Sequence, residues 1–197
     1  MDIKDIKRLR ELTGVGMTDA KKALVESKGD FDKALEAMRK KGMTKAEKSS
    51  EREARAGIIG SYLHDSRIGV LVEVNCETDF VARNEIFTDL VKNIAMHIAA
   101  SNPEYVSSDE VSDEIKQKIV AEFTEKAKHD NRPADMIAKI VDGQVSKYFQ
   151  EKALLSQPYI KNPDQDVATF IKENIAKLGE NIVVKRFSRM ALGEVTQ

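Results

Sequence analysis

The stretch GIIGSYLHDSRIGVLVEVNC, residues 57–76, decides the fold. Its two β-rich runs, 57–64 and 68–75, are joined by the three residues DSR, which suit a hairpin loop. A third β-rich run, NIVVKRFSRM, occupies residues 181–190. Three strands with one apolar face need a covering layer to be stable. The runs therefore predict an α+β fold in which a three-stranded antiparallel sheet is covered by helices.

A covering helix is predicted from Asn84 to Ala100, where apolar residues recur at helical spacing over a broad arc. His97 falls inside this arc, whereas Met96 falls on the opposite, polar side. A methionine on a polar face is a hint of a contact surface, because its thioether is flexible. A second helix is predicted to end at Gly179, a suitable C-cap before the last strand.

Residues 1–40 predict three short helices that need one another's apolar faces. Gly14 and Gly16 mark breaks, and Thr18 and Asp30 suit N-caps of the following helices. Residues 41–55 are taken as a charged linker, since 39–55 hold seven cations and three anions (7 − 3 = +4). They suit a solvated tether or an exposed helix, or a surface for an acidic partner or RNA.

A core domain is expected over residues 56–197, with an insertion at about 109–155. In the insertion, apolar residues recur every four positions, HDNRP interrupts them, and the helical pattern resumes. This pattern predicts a projecting antiparallel helical hairpin, a short coiled coil. Pro133 suits the first turn of the returning helix.

The 197 residues carry a net charge of −1 and no apolar run long enough to span a membrane. No signal-peptide pattern precedes the first helix, so a cytoplasmic protein that binds neither membrane nor DNA is expected. No Walker or dinucleotide glycine motif occurs, which argues against direct nucleotide binding. One cysteine and three histidines predict no metal site and no cofactor.

The turn NCETDFVAR, residues 75–83, is the most informative polar segment. Thr78 or Asp79 can cap the helix that follows. Phe80 either packs beneath its own helix or stands outward as a wedge for a partner's pocket, and the residues alone favour the inward reading. A cysteine hydrolase would need Cys76 as nucleophile, His97 as base and Asp79 as orienter, but Cys76 ends an apolar strand, so we expect no enzyme.

Several segments carry a resemblance. TDFVARNE after EVNCE, together with IAMHIAASNPEYV, LLSQPYI and GENIVVKRF in that order, is similar to the short bacterial-type elongation factor Ts family. The opening KRLRELTGVGMTDAKKALVESKGDFDKALEAMRKKG resembles that family's ubiquitin-associated-like module. The resemblance covers nearly the whole chain.

The resemblance implies a guanine nucleotide exchange factor for the GTPase elongation factor Tu, whereas an RNA-binding or adaptor protein is the alternative. It implies that a loop displaces Mg²⁺ and distorts the nucleotide site of the GTPase. It also implies that the N-terminal module contacts the GTPase and that a homodimer, or a two-by-two complex, supplies a second core unit. The implied loop residues are Thr78, Asp79, Phe80 and Val81; the N-terminal contacts are Arg10, Met17 and Thr18; Met96 and His97 are further candidates.

Overall fold

The structure is a computed structural model that describes residues 2–130 and 133–194, without the side chains of Lys45, Ala134 and Asp135. The chain divides into two compact units. The first comprises Met1–Met96 together with Ala168–Gln197, and the second comprises His97–Val167.

The first unit contains the predicted sheet. Strands β1 (Ala56–His64), β2 (Ile68–Cys76) and β5 (Val183–Ala191) are antiparallel, in the order β1-β2-β5. Side chains of β2 alternate, so that Val72 is fully buried and Leu71 is exposed. The predicted three-stranded antiparallel sheet is confirmed, with three residues in the β1–β2 loop.

Helix α4 (Asp79–Ala82) follows β2 directly, and α5 (Glu85–Ser101) follows α4. Phe87 and Val91 of α5 are buried. A Cβ atom on Gly60 of β1 would lie 2.3 Å from the Val91 Cγ1 atom. The glycine therefore lets α5 cover the inner face of the sheet at van der Waals distance.

Helices α1 (Ile3–Thr13), α2 (Met17–Glu26) and α3 (Phe31–Ser49) form the predicted N-terminal module. Gly14 takes a φ of 69° as the C-cap of α1, and the Asp30 side chain caps α3. The N-cap predicted at Thr18 is wrong, because α2 begins one residue earlier and Gly16 precedes it. The core of the module consists of Ile6, Leu9, Ala20, Ala23, Leu24, Ala34 and Met38.

Helix α3 is longer than the apolar pattern predicted, since it runs through most of the expected charged linker to Ser49. Ala46 and Ser49 are buried, so this part of α3 is neither a tether nor fully exposed. Of the two readings, a helix is the one observed, and its burial was not predicted because only two small residues supply its buried side. The bounds predicted for the three domains stay predictions.

Several cations of residues 39–55 form ion pairs within the first unit. Arg39 Nε lies 3.6 Å from Glu173 Oε1, and Arg52 Nη1 lies 3.4 Å from Glu77 Oε1. Glu173 belongs to α8 (Val167–Leu178), the helix that precedes β5. These carboxylates neutralise part of the +4 charge that the sequence places in this segment.

The second unit contains the predicted helical hairpin, formed by α6 (Asp113–His129) and α7 (Ala134–Lys152). The two helices pack together, and Ile119 and Val141 are buried. Two residues of the predicted break, at positions 131 and 132, lie outside the described residues. Pro133 immediately precedes the first residue of α7, close to its predicted place.

A small two-stranded sheet in the second unit was not predicted. It pairs β3 (Pro158–Tyr159) with β4 (Asn162–Asp166). The β4 sequence NPDQD contains no apolar residue, so the alternation that identifies strands is missing.

We expect Gly60→Ala to lower the free energy of unfolding by roughly 1–3 kcal/mol, because the added methyl overlaps Val91 in a closely packed layer. Gly69→Ala is the matched control, since its Cβ would lie 3.8 Å from Leu63 Cδ1, an ordinary contact. Urea unfolding of both variants measures the difference. Equal stabilities would contradict the packing described for Gly60.

Candidate functional site

The candidate site is the turn between β2 and α5. Strand β2 ends at Cys76, and Thr78 takes an extended conformation as the N-cap of α4. The Thr78 Oγ1 atom accepts a hydrogen bond from Val81 N at 3.4 Å. A helix of one turn has little stability of its own, so this cap and the contacts beyond α4 determine where its side chains point.

Within this turn, α4 separates its side chains into two sets. Val81 and Ala82 are buried, whereas Asp79 and Phe80 face outward. Phe80 is 84% exposed, the most exposed large hydrophobic side chain in the described part of the chain. The inward packing that the residues alone favoured is therefore wrong, and the outward direction implied by the resemblance is the one observed.

The turn is held by residues that follow α8. The Glu180 Oε2 atom accepts hydrogen bonds from Glu77 N at 3.1 Å and Thr78 N at 3.0 Å, and Oε1 accepts from Thr78 Oγ1 at 2.7 Å. In return, Glu77 Oε1 accepts from Asn181 N at 2.6 Å. We call these four residues the clasp: Glu77, Thr78, Glu180 and Asn181.

Glu77, Glu180 and Asn181 were not predicted as site residues. Glu180 is separated from Thr78 by 102 positions, so no local pattern links them. A signal was available in the residue order, because Gly179 ends α8 in a left-handed conformation and a carboxylate follows at once. Such a reversal carries the next side chains back toward the sheet.

Cys76 lies at the base of the turn and is fully buried. Its thiol donates to Thr78 O at 3.2 Å. Burial raises the pKa of the Cys76 thiol, and the nearby carboxylates of Glu180, Asp79 and Glu77 raise it further. A protonated, buried thiol is a poor nucleophile, so the structure gives no support to Cys76 as the centre of a hydrolase.

Comparison with known proteins assigns the family. The family model described as elongation factor TS matches residues 6–194. The chain belongs to the elongation factor Ts family. Proteins named elongation factor Ts are similar over 96% of the chain: that of Moorella thermoacetica is 50% identical over 191 residues and 94% of its own length. That of Thermodesulfovibrio yellowstonii is 49% identical over 189 residues, which cover 94% of its own length. That of Geobacter sulfurreducens is 47% identical over 190 residues, which cover 88% of its own length.

Membership in the elongation factor Ts family makes the chain a factor of translation elongation, as the resemblance implied. The residues that the family model matches, 6–194, include both halves of the clasp.

The N-terminal contacts expected from the elongation factor Ts resemblance lie on the first two helices. Arg10 is exposed in the last turn of α1, and Met17 and Thr18 are exposed in the first turn of α2. Leu12 is also exposed although it is apolar. An accessible surface with apolar and cationic side chains therefore exists here, and its contact with a partner stays a prediction.

The candidate contacts on α5 differ in accessibility. Met96 is partly exposed, but His97 is fully buried, as its position in the apolar arc predicted. Ile160 N donates to His97 Nδ1 at 3.2 Å, so Nε2 carries the proton and donates to Gln157 Oε1 at 2.9 Å. The prediction that the His97 side chain contacts a partner is therefore wrong, because this side chain is buried and hydrogen-bonded within the second unit.

Two further observations concern metal sites and membrane-spanning helices among the described residues. No group of three or more His, Cys, Asp or Glu side chains in residues 2–130 and 133–194 is arranged to hold a metal ion. Among the helices that the structure describes, none combines the length and apolar character needed to cross a membrane.

His97 predicts acid sensitivity of the second unit. Burial lowers the pKa of His97, whereas an unfolded histidine titrates near about 6.5. The unfolded chain therefore binds a proton that the folded chain does not, so the unfolding free energy falls as pH decreases below about 6.5, by up to about 1.4 kcal/mol per pH unit.

Urea unfolding between about pH 7.5 and 5.5 measures this slope, with His97→Gln as the variant that should reduce it. A slope unaffected by His97→Gln would contradict the assignment.

Proposed function

We propose that this chain is a guanine nucleotide exchange factor, which binds elongation factor Tu in the cytoplasm and accelerates release of GDP from it. The chain contributes no covalent chemistry, binds no nucleotide itself and requires no cofactor. The observation that carries the proposal is the exposed Phe80 ring on a capped single turn. Membership in the elongation factor Ts family supports it.

Phe80 is suited to act as a wedge. Burying a phenylalanine side chain contributes about 1.5–3 kcal/mol of favourable free energy. Phe80 is exposed in the free chain, so this free energy becomes available when a partner buries the ring. Exposed aromatic residues that enter a partner's pocket often dominate binding. Because the ring stands on a turn whose next residues are buried, it can enter the GTPase without unfolding the turn.

Insertion of Phe80 between elements of the GTPase disturbs the groups that hold Mg²⁺ and phosphate. Nucleotide affinity of GTPases depends strongly on Mg²⁺ and its ionic contacts. Asp79 precedes the ring and is exposed, so its negative charge would repel the phosphates of GDP at close range. Thr78 and Val81 complete the loop, Thr78 as the cap and Val81 as the buried anchor.

The thermodynamic requirement is differential binding. The chain must bind the distorted, nucleotide-poor state of the GTPase more tightly than the GDP-bound state. By linkage, GDP and the exchange factor then weaken each other's binding by the same factor. Arg10, Met17 and Thr18 would supply affinity that is independent of nucleotide, and Met96 is a further candidate contact.

The RNA-binding or adaptor alternative rests on the cations of residues 39–55. Arg39 and Arg52 lie in ion pairs with Glu173 and Glu77, and Arg55 Nε lies 2.6 Å from Glu53 Oε1. A phosphate backbone would have to compete with these carboxylates. The exchange-factor proposal is therefore the better supported of the two.

The proposal includes a homodimer, assembled through the outer face of the sheet. This face exposes four large apolar side chains, from Ile59, Leu63, Leu71 and Met190. Ile59 pairs with Glu73, and Leu63 and Met190 both pair with Gly69. Glu73, Leu71 and Gly69 are alternate residues of β2, so all of these side chains lie on the same face of the sheet. Pairing two such faces would bury both, and the Arg186–Glu73 ion pair, at 2.7 Å, lies on the same surface.

Phe80→Ala is expected to reduce the acceleration of GDP release by about tenfold or more, because the wedge is removed while the buried residues of the turn remain. Stopped-flow release of a fluorescent GDP analogue from elongation factor Tu measures the rate. Leu192→Ala, which truncates another side chain that is 76% exposed, should exchange at the rate of the unaltered chain.

If the unaltered chain does not accelerate GDP release, the exchange-factor proposal is wrong. If Phe80→Ala folds and exchanges at the unaltered rate, the mechanism through Phe80 is wrong although the activity stands. Circular dichroism of each variant establishes that it is folded.

For the homodimer, Leu71→Lys is expected to shift the chain to monomer, because it places a charge in the centre of the apolar face. Val25→Lys, at an apolar residue of α2 that is 57% exposed, is the control. Light scattering measures the mass. A monomer for the unaltered chain, alone and with elongation factor Tu, would remove the dimer from the proposal.

A further inference from the structure

We infer that Glu180 is a positioning residue for nucleotide exchange: its carboxylate holds the turn that presents Phe80 in the orientation needed for entry into the GTPase. The inference rests on the proposed function. Glu180 is partly buried, and it acts through the backbone of Glu77 and Thr78.

The Glu180 carboxylate makes contacts that few other groups could replace. Its Oε2 atom accepts from two successive backbone N–H groups, those of Glu77 and Thr78, and its Oε1 atom accepts from the Thr78 hydroxyl. Two adjacent amides and a hydroxyl converging on one carboxylate define both the position and the direction of the chain at residue 78. Thr78 is the residue that caps α4, so the orientation of Phe80 follows from it.

The second half of the clasp works in the opposite direction. Glu77 Oε1 accepts from Asn181 N, and Asn181 Nδ2 donates to Ser50 O at 3.2 Å and to Arg52 O at 2.6 Å. The chain just after α3 is therefore joined to the turn through Asn181. In each segment of the clasp, 77–78 and 180–181, a glutamate side chain accepts a hydrogen bond from the backbone of the other segment. Neither segment can therefore move without breaking hydrogen bonds of both glutamates.

The geometry depends on Gly179. It takes a φ of 79° at the end of α8, and its N–H donates to Ile175 O at 2.8 Å. This left-handed residue reverses the chain so that Glu180 faces the β2–α4 turn and β5 begins three residues later. The position of Glu180 thus follows from the left-handed residue that ends α8.

The external support is needed because α4 has four residues. One helical turn does not fix a side chain against thermal motion without packing or capping. When the clasp is intact, the turn already holds Phe80 in its bound orientation before the partner arrives. Little conformational entropy of the turn is then lost on binding. When the clasp is broken, the complex can still form through other surfaces, but a smaller share of complexes has the ring inserted.

The test separates binding from exchange. Fluorescent-GDP release from elongation factor Tu is measured over a range of concentrations of the full chain. We expect Glu180→Ala to lower the maximal release rate by about tenfold, the equivalent of one lost charge-assisted hydrogen bond. We expect Glu180→Gln, which keeps one acceptor oxygen, to lie in between, with the half-saturating concentration changed less than about twofold for both.

Glu173→Gln is the matched control, since Glu173 is also partly buried in the first unit and pairs with a cation instead of a backbone. Thr78→Val removes the hydroxyl and should slow exchange in the unaltered background, but add little to Glu180→Ala, because the two residues share one interaction.

A second readout needs no partner. The sequence contains no tryptophan, so Phe80→Trp places a single indole on the turn. Its fluorescence anisotropy in the free, folded chain should fall when Glu180→Gln or Glu180→Ala is added, and should not change with Glu173→Gln. A fall would show that Glu180 restrains the ring's turn, independently of any exchange activity.

The outcomes are distinguishable. If the unaltered chain accelerates GDP release and Phe80→Ala abolishes this, but folded Glu180 variants show unaltered maximal rates and anisotropy, the positioning inference is overturned while the proposed function stands. If the unaltered chain fails to accelerate release, the proposed function fails first, and the anisotropy still tests whether Glu180 restrains the turn. A loss confined to the half-saturating concentration would also overturn the inference.

Discussion

The hydrogen bonds from the amides of Glu77 and Thr78 to the Glu180 carboxylate are the contacts on which the candidate site depends. They connect the end of the central strand β2 to the segment that enters β5, two places that are neighbours in the sheet and distant in sequence. The sheet brings these segments together, and the carboxylate converts that proximity into a defined backbone at residue 78. The single-turn helix α4 is then held by these hydrogen bonds and does not need the Phe80 ring to pack against the protein.

This arrangement separates stability from recognition. The residues that stabilise the first unit face inward, among them Val81 next to the ring and Val72 in the sheet. Phe80 contributes little to folding because it lies almost entirely in solvent. A side chain with this distribution of contacts is free to be used by a partner, which is why exposure of a large apolar residue on a well-anchored turn is more informative than exposure on a loop.

Much of the fold followed from local patterns in the sequence. The strands of the hairpin, the long apolar arc of α5 and the helical hairpin each have a periodicity that identifies them, and glycine at positions 14 and 179 marks helix ends. For the end of α3 the sequence left a tether and an exposed helix open, because the buried side of this segment consists of alanine and serine in a charged background. The strand β4 was missed because its residues are polar.

The candidate site was less accessible to such reasoning. The residues of the turn were recognisable from their resemblance to a family, but the direction of Phe80 depends on which side of α4 meets the sheet, and local chemistry favoured the wrong side. Glu180 acts across 102 positions, and His97 acts across 60 to reach Gln157. Pairings of this length are set by tertiary structure. A local signal such as Gly179 before Glu180 marks where the chain turns, but it does not show which distant residue the side chain meets.

The most direct test of the central claim is photo-crosslinking from residue 80, with the phenylalanine replaced by its benzoyl derivative so that an aromatic ring is retained. In the complex with nucleotide-free elongation factor Tu, the account predicts crosslinks to the segments of the GTPase that surround its Mg²⁺ and phosphate site. A stable complex with crosslinks confined to other regions of the GTPase, or with none, would contradict it.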